Sequence, residues 1–218
     1  MFLYYTFALD MTVEIKNNIL QRVTALFFKY GIKSVTMDDI ARELGMSKKT
    51  LYQFFENKND LLIQIIQIES ERDEQMICQA NIDAKNALEE LMSFAKHGIE
   101  EFAKVKSSPT IMYDLQKYYR EIWNKFETGL NQRMFEGTKK NIERGKSEGL
   151  YRADIDAESI AKIYVRLMMS IIDEDIFPSK TYDKIALFQQ YLIYHINGIA
   201  TPKGIALFES KRKELFDS

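Results

Sequence analysis

Residues 36–58, TMDDIARELGMSKKTLYQFFENK, constrain local geometry more tightly than any other stretch of this 218-residue chain. Thr36 is placed to cap a helix, and Asp39 three residues on completes a capping box with it. Asp38 and Asp39 also put negative charge at the positive end of the helix dipole. Ile40, Ala41 and Leu44 recur at helical spacing on one face. Gly45 permits the left-handed backbone that ends a helix, and Ser47 can cap the next one. In that second helix the faces separate. Leu51 and Phe55, four apart, turn inward, while Lys48 with Tyr52 and Lys49 with Gln53 line the opposite side. Asn57 and Asp60 form a third capping pair, so Lys58 sits in the first turn of a further helix.

The pattern is a helix, a glycine turn and a short second helix with a basic, hydroxyl-rich outer face. A lysine at a helix N-terminus is disfavoured by the dipole, an objection that a nearby phosphate removes. Lys48, Lys49 and Lys58, with Thr50 and the Tyr52 hydroxyl, can reach phosphate oxygens or base edges from one surface. Gln53 can pair with adenine if it faces the groove. Lysines alone would describe an ordinary solvated face. The caps, the glycine turn and the split faces together predict a helix-turn-helix reader of duplex DNA.

These residues resemble the TetR family of transcriptional regulators, whose signature is close to T-x-x-x-I-A-x-x-x-G-x-S-x-x-x-L-Y-x-x-F-x-x-K. Here it is Thr36, Ile40, Ala41, Gly45, Ser47, Leu51, Tyr52, Phe55 and Lys58, all at matching intervals. The likeness covers about the first 60 residues; beyond them it is one of length and helical layout. It implies that residues 48, 49 and 50 meet bases, as does Met37, and that Thr36, Tyr52, Gln53 and Lys58 mostly meet phosphates. Phe54 departs from the pattern, since a histidine or other polar residue is common there. Phenylalanine donates no hydrogen bond, so it packs on a sugar edge or returns to the core.

Helical periodicity dominates the rest, with no hairpin signal and no sustained alternation, so an all-α fold is expected. Ile15, Ile19, Val23, Leu26, Phe27 and Tyr30 form one face of a first helix closed by Gly31. With the helix-turn-helix it would make a three-helix DNA-binding domain over 11–58, followed by a larger helical effector-binding and dimerisation domain over 59–218. In the latter, helices are expected at 59–80, 84–105, from Pro109 to Tyr118, 120–145, 156–173, 181–197 and 204–216. Gly145 and Gly149 are read as closing the fourth, Asp154 or Asp156 as capping the fifth, Pro178 as breaking it, and Gly198 with Pro202 as ending the sixth. A border inside a helical junction suggests mechanical coupling between the domains.

Residues 160–172, IAKIYVRLMMSII, and 185–199, IALFQQYLIYHINGI, are apolar on most sides and need burial on two. Both can lie in a monomer's core. A four-helix interface between two copies is favoured because one reader touches few base pairs, and the resemblance implies the same homodimer. It also implies a small effector inside the second domain, whose binding spreads the readers and releases DNA. Tyr113, Trp123, Phe126 and Met168 are candidates for lining that site, with Arg166 for an anionic head group. Plain core packing is the competing reading for each aromatic, and surface snorkelling or pairing with an acid for Arg166.

The net charge of −2 says nothing for nucleic acid by itself, but residues 11–60 hold eight Lys/Arg against six Asp/Glu, so the positive surplus lies in the candidate reader. Cys78 is the only cysteine, which excludes an internal disulfide, fits a reducing cytoplasm, and is expected as a small buried side chain. No run approaches the ~20 apolar residues of a membrane span. Residues 1–10, MFLYYTFALD, lack a basic leader and have no Lys or Arg with which to enter a minor groove; they read as an upstream extension or a frayed arm. His97 and His195 lie far apart without metal-ligand spacing, the nine glycines form no phosphate loop, and no nucleophile elbow is present. No enzyme, cofactor or metal is expected. The leading reading is a dimeric, ligand-responsive repressor with duplex DNA and a small effector as partners. The alternatives are an activator, a repressor without effector, or a helical adaptor that retains the helix-turn-helix as scaffold.

Overall fold

The computed structural model describes residues 2–106 and 110–216, with side chains left aside at 2–13, 73, 76–77, 79–81, 104–106 and 214–215. Among the described residues there are ten helices and one isolated antiparallel bridge, between Tyr151 and Ala200, so the all-α expectation holds. The helices are α1 Phe2–Tyr30, α2 Met37–Leu44, α3 Lys48–Phe54, α4 Lys58–Asp83, α5 Ala87–Lys106, α6 Thr110–Tyr118, α7 Arg120–Ser147, α8 Ala157–Ile172, α9 Lys184–Ile199 and α10 Pro202–Phe216. The backbone of α1 is helical from Phe2; the side chains of the expected N-terminal extension, and Pro109 as a helix-starting signal, lie outside the described residues.

Two compact units share these helices. The first joins Met1–Arg72 to Ser107–Asn124, and the second joins Asp73–Lys106 to Lys125–Ser218. Its border thus falls along α4, beyond the expected boundary at residue 58, and residues 107–124 cluster with the helix-turn-helix.

In the first unit Ile19, Val23 and Phe27 of α1 are buried with Ile40, Leu51, Phe55, Leu61 and Leu62. Each such side chain stabilises by about 1.5–3 kcal/mol when fully removed from water. The expected face of α1 is narrower at both ends, because Ile15 and Tyr30 are exposed. Gly31 closes α1 at φ +81°, and a Cβ there would lie 3.2 Å from both Asp114 Oδ2 and Thr110 Oγ1. That close approach lets the Lys33 N–H donate to Asp114 Oδ2 at 2.8 Å, which joins α6 to the α1–α2 turn. The Lys33 ammonium lies 3.8 Å from the centroid of the Tyr118 ring.

In the second unit the core is built by α5, α7, α8, α9 and α10, with Leu88, Ile142, Tyr151, Tyr164, Phe188, Leu192 and Phe208 all fully buried. Gly145 does not close α7, as the sequence suggested; it lies inside the helix, which ends two residues later, with Gly149 at φ +67° in the turn beyond. Its function is steric. A Cβ at Gly145 would sit 2.0 Å from Tyr151 Cδ2. The Tyr151 hydroxyl reaches Ala87 O at 3.2 Å and Asn141 Oδ1 at 3.1 Å. Gly198 likewise lies inside α9, and Pro202 opens α10 instead of ending α9, as proline's fixed φ and missing N–H allow at a first helical position. Asp156, not Asp154, caps α8, accepting from Ser159 N–H at 2.8 Å. Pro178 lies in the segment between α8 and α9, as expected. Cys78 is exposed, contrary to the expected burial, because α4 presents it to solvent.

Candidate nucleic-acid interface

The local chemistry of residues 36–60 takes the geometry its caps demand. The Thr36 hydroxyl accepts from Asp39 N–H at 3.2 Å, and the Thr36 N–H donates to Asp39 Oδ2 at 3.0 Å, a complete capping box. Hydrogen bonds from Thr36 hold the Asp39 carboxyl below the usual carboxylate range. At the other end of α2, Gly45 has φ +68°; its N–H donates to Arg42 O at 3.1 Å and the Met46 N–H to Ala41 O at 3.0 Å. Ser47 caps α3, accepting from Thr50 N–H at 3.1 Å, and its hydroxyl lies 2.8 Å from the Thr50 hydroxyl. Asn57 accepts from Asp60 N–H at 3.0 Å, and Asp60 accepts in return from Glu56 N–H at 2.9 Å.

These constraints leave one side of α3 free. Leu51 is fully buried, while Lys48, Lys49, Tyr52 and Gln53 are exposed and Thr50 is half-buried. Lys48 Nζ pairs with Asp38 Oδ1 at 2.5 Å, bridging the starts of α2 and α3. Both partners are more than half exposed, so the pair contributes ~0–1 kcal/mol and opens at little cost to a competing anion. Lys49, beside it, is exposed. Thr36 is exposed beside its capping partner.

Two members of the expected reading set are placed elsewhere. Met37 is buried with Ile40 and Ala41 on the inner side of α2. Lys58 is half-buried and turned inward. Its ammonium donates to Ile32 O and lies between Phe27, at 5.8 Å, and Tyr119, at 5.7 Å. Burial pushes its pKa down, against the opposing pull of Asp114 and Asp39. Lys58 therefore ties the start of α4 to the α1–α2 turn. Sequence reasoning missed this because the partners, Ile32 and Tyr119, lie 26 and 61 positions away. Phe54 resolves toward the interior: it is half-buried, with its ring 6.4 Å from that of Phe55.

The sequence model for bacterial regulatory proteins of the tetR family matches residues 19–65, the span that holds this capped pair of helices. Residues 19–65 belong to the TetR family. The chain is similar to the uncharacterized HTH-type transcriptional regulator YhgD of Bacillus subtilis (strain 168), with 38% identity over 55 residues. That match spans 25% of this chain and 29% of YhgD, so it concerns the N-terminal domain alone. Solved TetR-like folds extend the likeness over both units at the level of architecture. A transcriptional regulator from Cytophaga hutchinsonii superposes with a TM-score of 0.67 at 20% identity, covering 87% of this chain and 99% of that one. SmeT, the repressor of the Stenotrophomonas maltophilia multidrug efflux pump SmeDEF, does so with 0.67 at 15% identity, covering 86% and 91%.

The residues expected around an effector are divided between the two units. Tyr113 and Trp123 belong to the first, where Tyr113 is exposed with the Lys117 ammonium on its hydroxyl and Trp123 is buried. Phe126, Arg166 and Met168 belong to the second, half-buried, exposed and buried respectively. Arg166 points outward from α8. An unexpected groove of about 310 Å³ lies in the first unit between α1 and α4, floored by Leu20, Ile65 and Ile68 and rimmed by Asn17, Gln21 and Glu69. Among the described residues no helix is long and apolar enough to cross a membrane, and no cluster of metal-ligating side chains occurs.

Proposed function

We propose that this chain is a DNA-binding transcriptional regulator that acts as a homodimer, represses from a palindromic operator, and is released by a small effector. The observation that carries the reading is the outer side of α3. Lys48, Lys49, Tyr52 and Gln53 stand exposed together on a helix whose opposite side, at Leu51, is fully buried. A helix so anchored offers its free side to a major groove. Lys48, Lys49 and Thr50 would meet base edges, and Thr36, Tyr52 and Gln53 phosphates or adenine. The domain borders belong to the same proposal, with DNA reading by residues 11–58 and effector and partner binding by 59–218.

Dimerisation is supported by the apolar surface of α8 and α9. Ile163 is 55% exposed, Leu167 40% and Tyr194 73%, an arrangement that a second copy would cover. Two readers spaced about 34–36 Å apart would then engage successive major grooves on one side of the duplex. Residues 107–124 cluster with the reader, and Asp114 holds the turn between α1 and α2, so an effector that moves α6 has a direct bond through which to act on it. An effector shifts the equilibrium only if it prefers the released state.

The test is fluorescence anisotropy of the full chain on its own upstream DNA, with a scrambled duplex and a salt series. Sequence-selective binding of two subunits per site, weakening steeply with salt, is the expected result. Equal, weak binding to both duplexes and to a pool of genomic fragments favours the adaptor reading.

A further inference from the structure

A second cluster of cations lies in the first unit, outside α3. The α1–α2 turn and α6 meet there through Asp114, which is buried and accepts from the Lys33 N–H at 2.8 Å. At the surface the same turn and helix leave Lys33, Tyr113, Lys117 and Tyr118, all exposed. All four belong to the unit that carries the reader.

The four side chains are interlocked. The Tyr113 and Tyr118 rings meet edge to face, with 6.2 Å between centroids. The Lys33 ammonium lies 3.8 Å from the Tyr118 centroid, and the Lys117 ammonium 5.7 Å from the same centroid. Lys117 also donates to the Tyr113 hydroxyl. Two cations therefore share one ring, and like charges so placed repel each other. Asp114 acts on the Tyr118 hydroxyl and on the Lys58 ammonium as well, so one buried carboxylate is set against Lys33, Lys58 and Lys117.

The hydrogen-bonding character of the cluster is one-sided. Ammonium groups only donate, and a phenol oxygen that accepts from one keeps its own O–H to donate. The hydrogen bond from Lys33 lowers the Tyr118 phenol below its ordinary pKa, which strengthens it as a donor. The bond with Tyr113 raises the Lys117 pKa and holds its charge. Positive charge with several convergent donors fits an anion that carries several acceptor oxygens.

Position selects the anion. Lys33 precedes Thr36, the exposed cap of α2, by three residues, and three residues span at most about 10–11 Å. Duplex DNA carries one charge per about 1.7 Å of its axis, so a duplex that passes Thr36 brings further phosphates toward the cluster.

We propose that Lys33, Tyr113, Lys117 and Tyr118 form a phosphate anchor for the DNA backbone beside the base pairs that α3 reads. The anchor rests on the DNA-binding reading above and extends the interface to α6. Its test is the salt slope of binding, by anisotropy of the full chain on its own upstream duplex and on a scrambled one. Lys33→Gln and Lys117→Gln should each reduce the slope by about 0.9 per subunit and weaken both duplexes by the same factor. Lys33→Arg and Lys117→Arg keep the charge and should retain the parent slope. Tyr113→Phe and Tyr118→Phe should lose roughly two- to tenfold in affinity with the slope kept. Thermal melts should stay near the parent's, because the Lys33 backbone, not its ammonium, holds Asp114. Sequence preference retained with unchanged slopes in both glutamine variants overturns the anchor alone. Preference absent in the parent, with slopes that still fall in those variants, supports the anchor and overturns sequence reading by α3. No binding of the parent to either duplex overturns both. Calorimetry with pyrophosphate supplies the last arm: glutamine variants that bind DNA as the parent does, yet lose pyrophosphate, assign the cluster to a small anion and overturn the DNA contact.

Discussion

Two glycines, one in each unit, permit helix geometry for opposite reasons. Gly45 ends α2 with φ +68° and has no atom within 4 Å of where a Cβ would stand. It answers a backbone requirement, and everything that specifies the turn lies within a few residues of it. Gly145 lies within α7, where its backbone needs nothing unusual, yet a Cβ there would fall 2.0–2.6 Å from three atoms of the Tyr151 ring. It answers a packing requirement set by a ring that is itself pinned to Asn141 and Ala87. The reader is thus specified largely by local hydrogen bonds at its surface, and the second unit by mutual exclusion of volume in its core.

The largest effect should come from Gly145→Ala. The buried Tyr151 ring cannot yield without breaking its hydrogen bonds, so the overpacking should cost about 3 kcal/mol in urea denaturation, at the upper end for such changes. A cost near that of Gly45→Ala would break the distinction between the two glycines.

Next is the pH response of the core. His195 is 8% exposed and burial lowers its pKa from 6.5 to about 4. Between those values the unfolded state binds the proton that the folded state refuses, so stability rises with pH through this window and is lost as pH falls from 6.5 toward 4. The loss should approach ~3 kcal/mol, and His195→Gln should flatten it. The reader should respond lower. Asp39 has its pKa depressed below 3.8 by Thr36, so its contribution is present above that value and disappears only as pH falls through the depressed one. Amide exchange in α2 and α9 against pH would resolve the two windows; a single shared transition would argue against separate control.

Gly45→Ala should cost ~1–2 kcal/mol, as left-handed backbone strain without a clash, and Gly45→Asn less. Thr36→Ala, which dismantles the capping box, should cost ~1 kcal/mol by thermal denaturation. Smallest in stability is Lys48→Ala. It removes an exposed ion pair and should change stability by under ~1 kcal/mol, while reducing discrimination between operator and scrambled duplex by ~1–3 kcal/mol. Lys58→Ala should do the reverse, weakening the fold more than the sequence preference, because its ammonium serves Ile32 O.

Where side chains act within one turn of their own backbone, the sequence was a sufficient guide. The caps at Thr36, Ser47 and Asn57, the glycine stop at Gly45 and the inward placement of Leu51 and Phe55 all follow from intervals of three and four residues. The exposed set on α3 was legible for the same reason. Met37 and Lys58 were not, because their surroundings are assembled from distant segments: Met37 turns to the interior shared with α1, and Lys58 is claimed by Ile32, Phe27 and Tyr119. The exposure of Tyr113 and Arg166 was illegible for a similar reason. Tyr113 and Arg166 are aromatic or charged interruptions in apolar runs, and such runs do not say which side of a helix faces solvent when the helix is apolar on most of them.

By itself, then, the amino-acid sequence determined the helical class, the capped geometry of the reader and the side of α3 that remains free, since hydrogen bonds to the nearest backbone and helical periodicity are properties of neighbours. Only the tertiary structure decided that residues 107–124 cluster with the reader and that Gly145 is a space for Tyr151. Those outcomes depend on which distant surfaces compete for the same volume, and no interval along the chain encodes the winner.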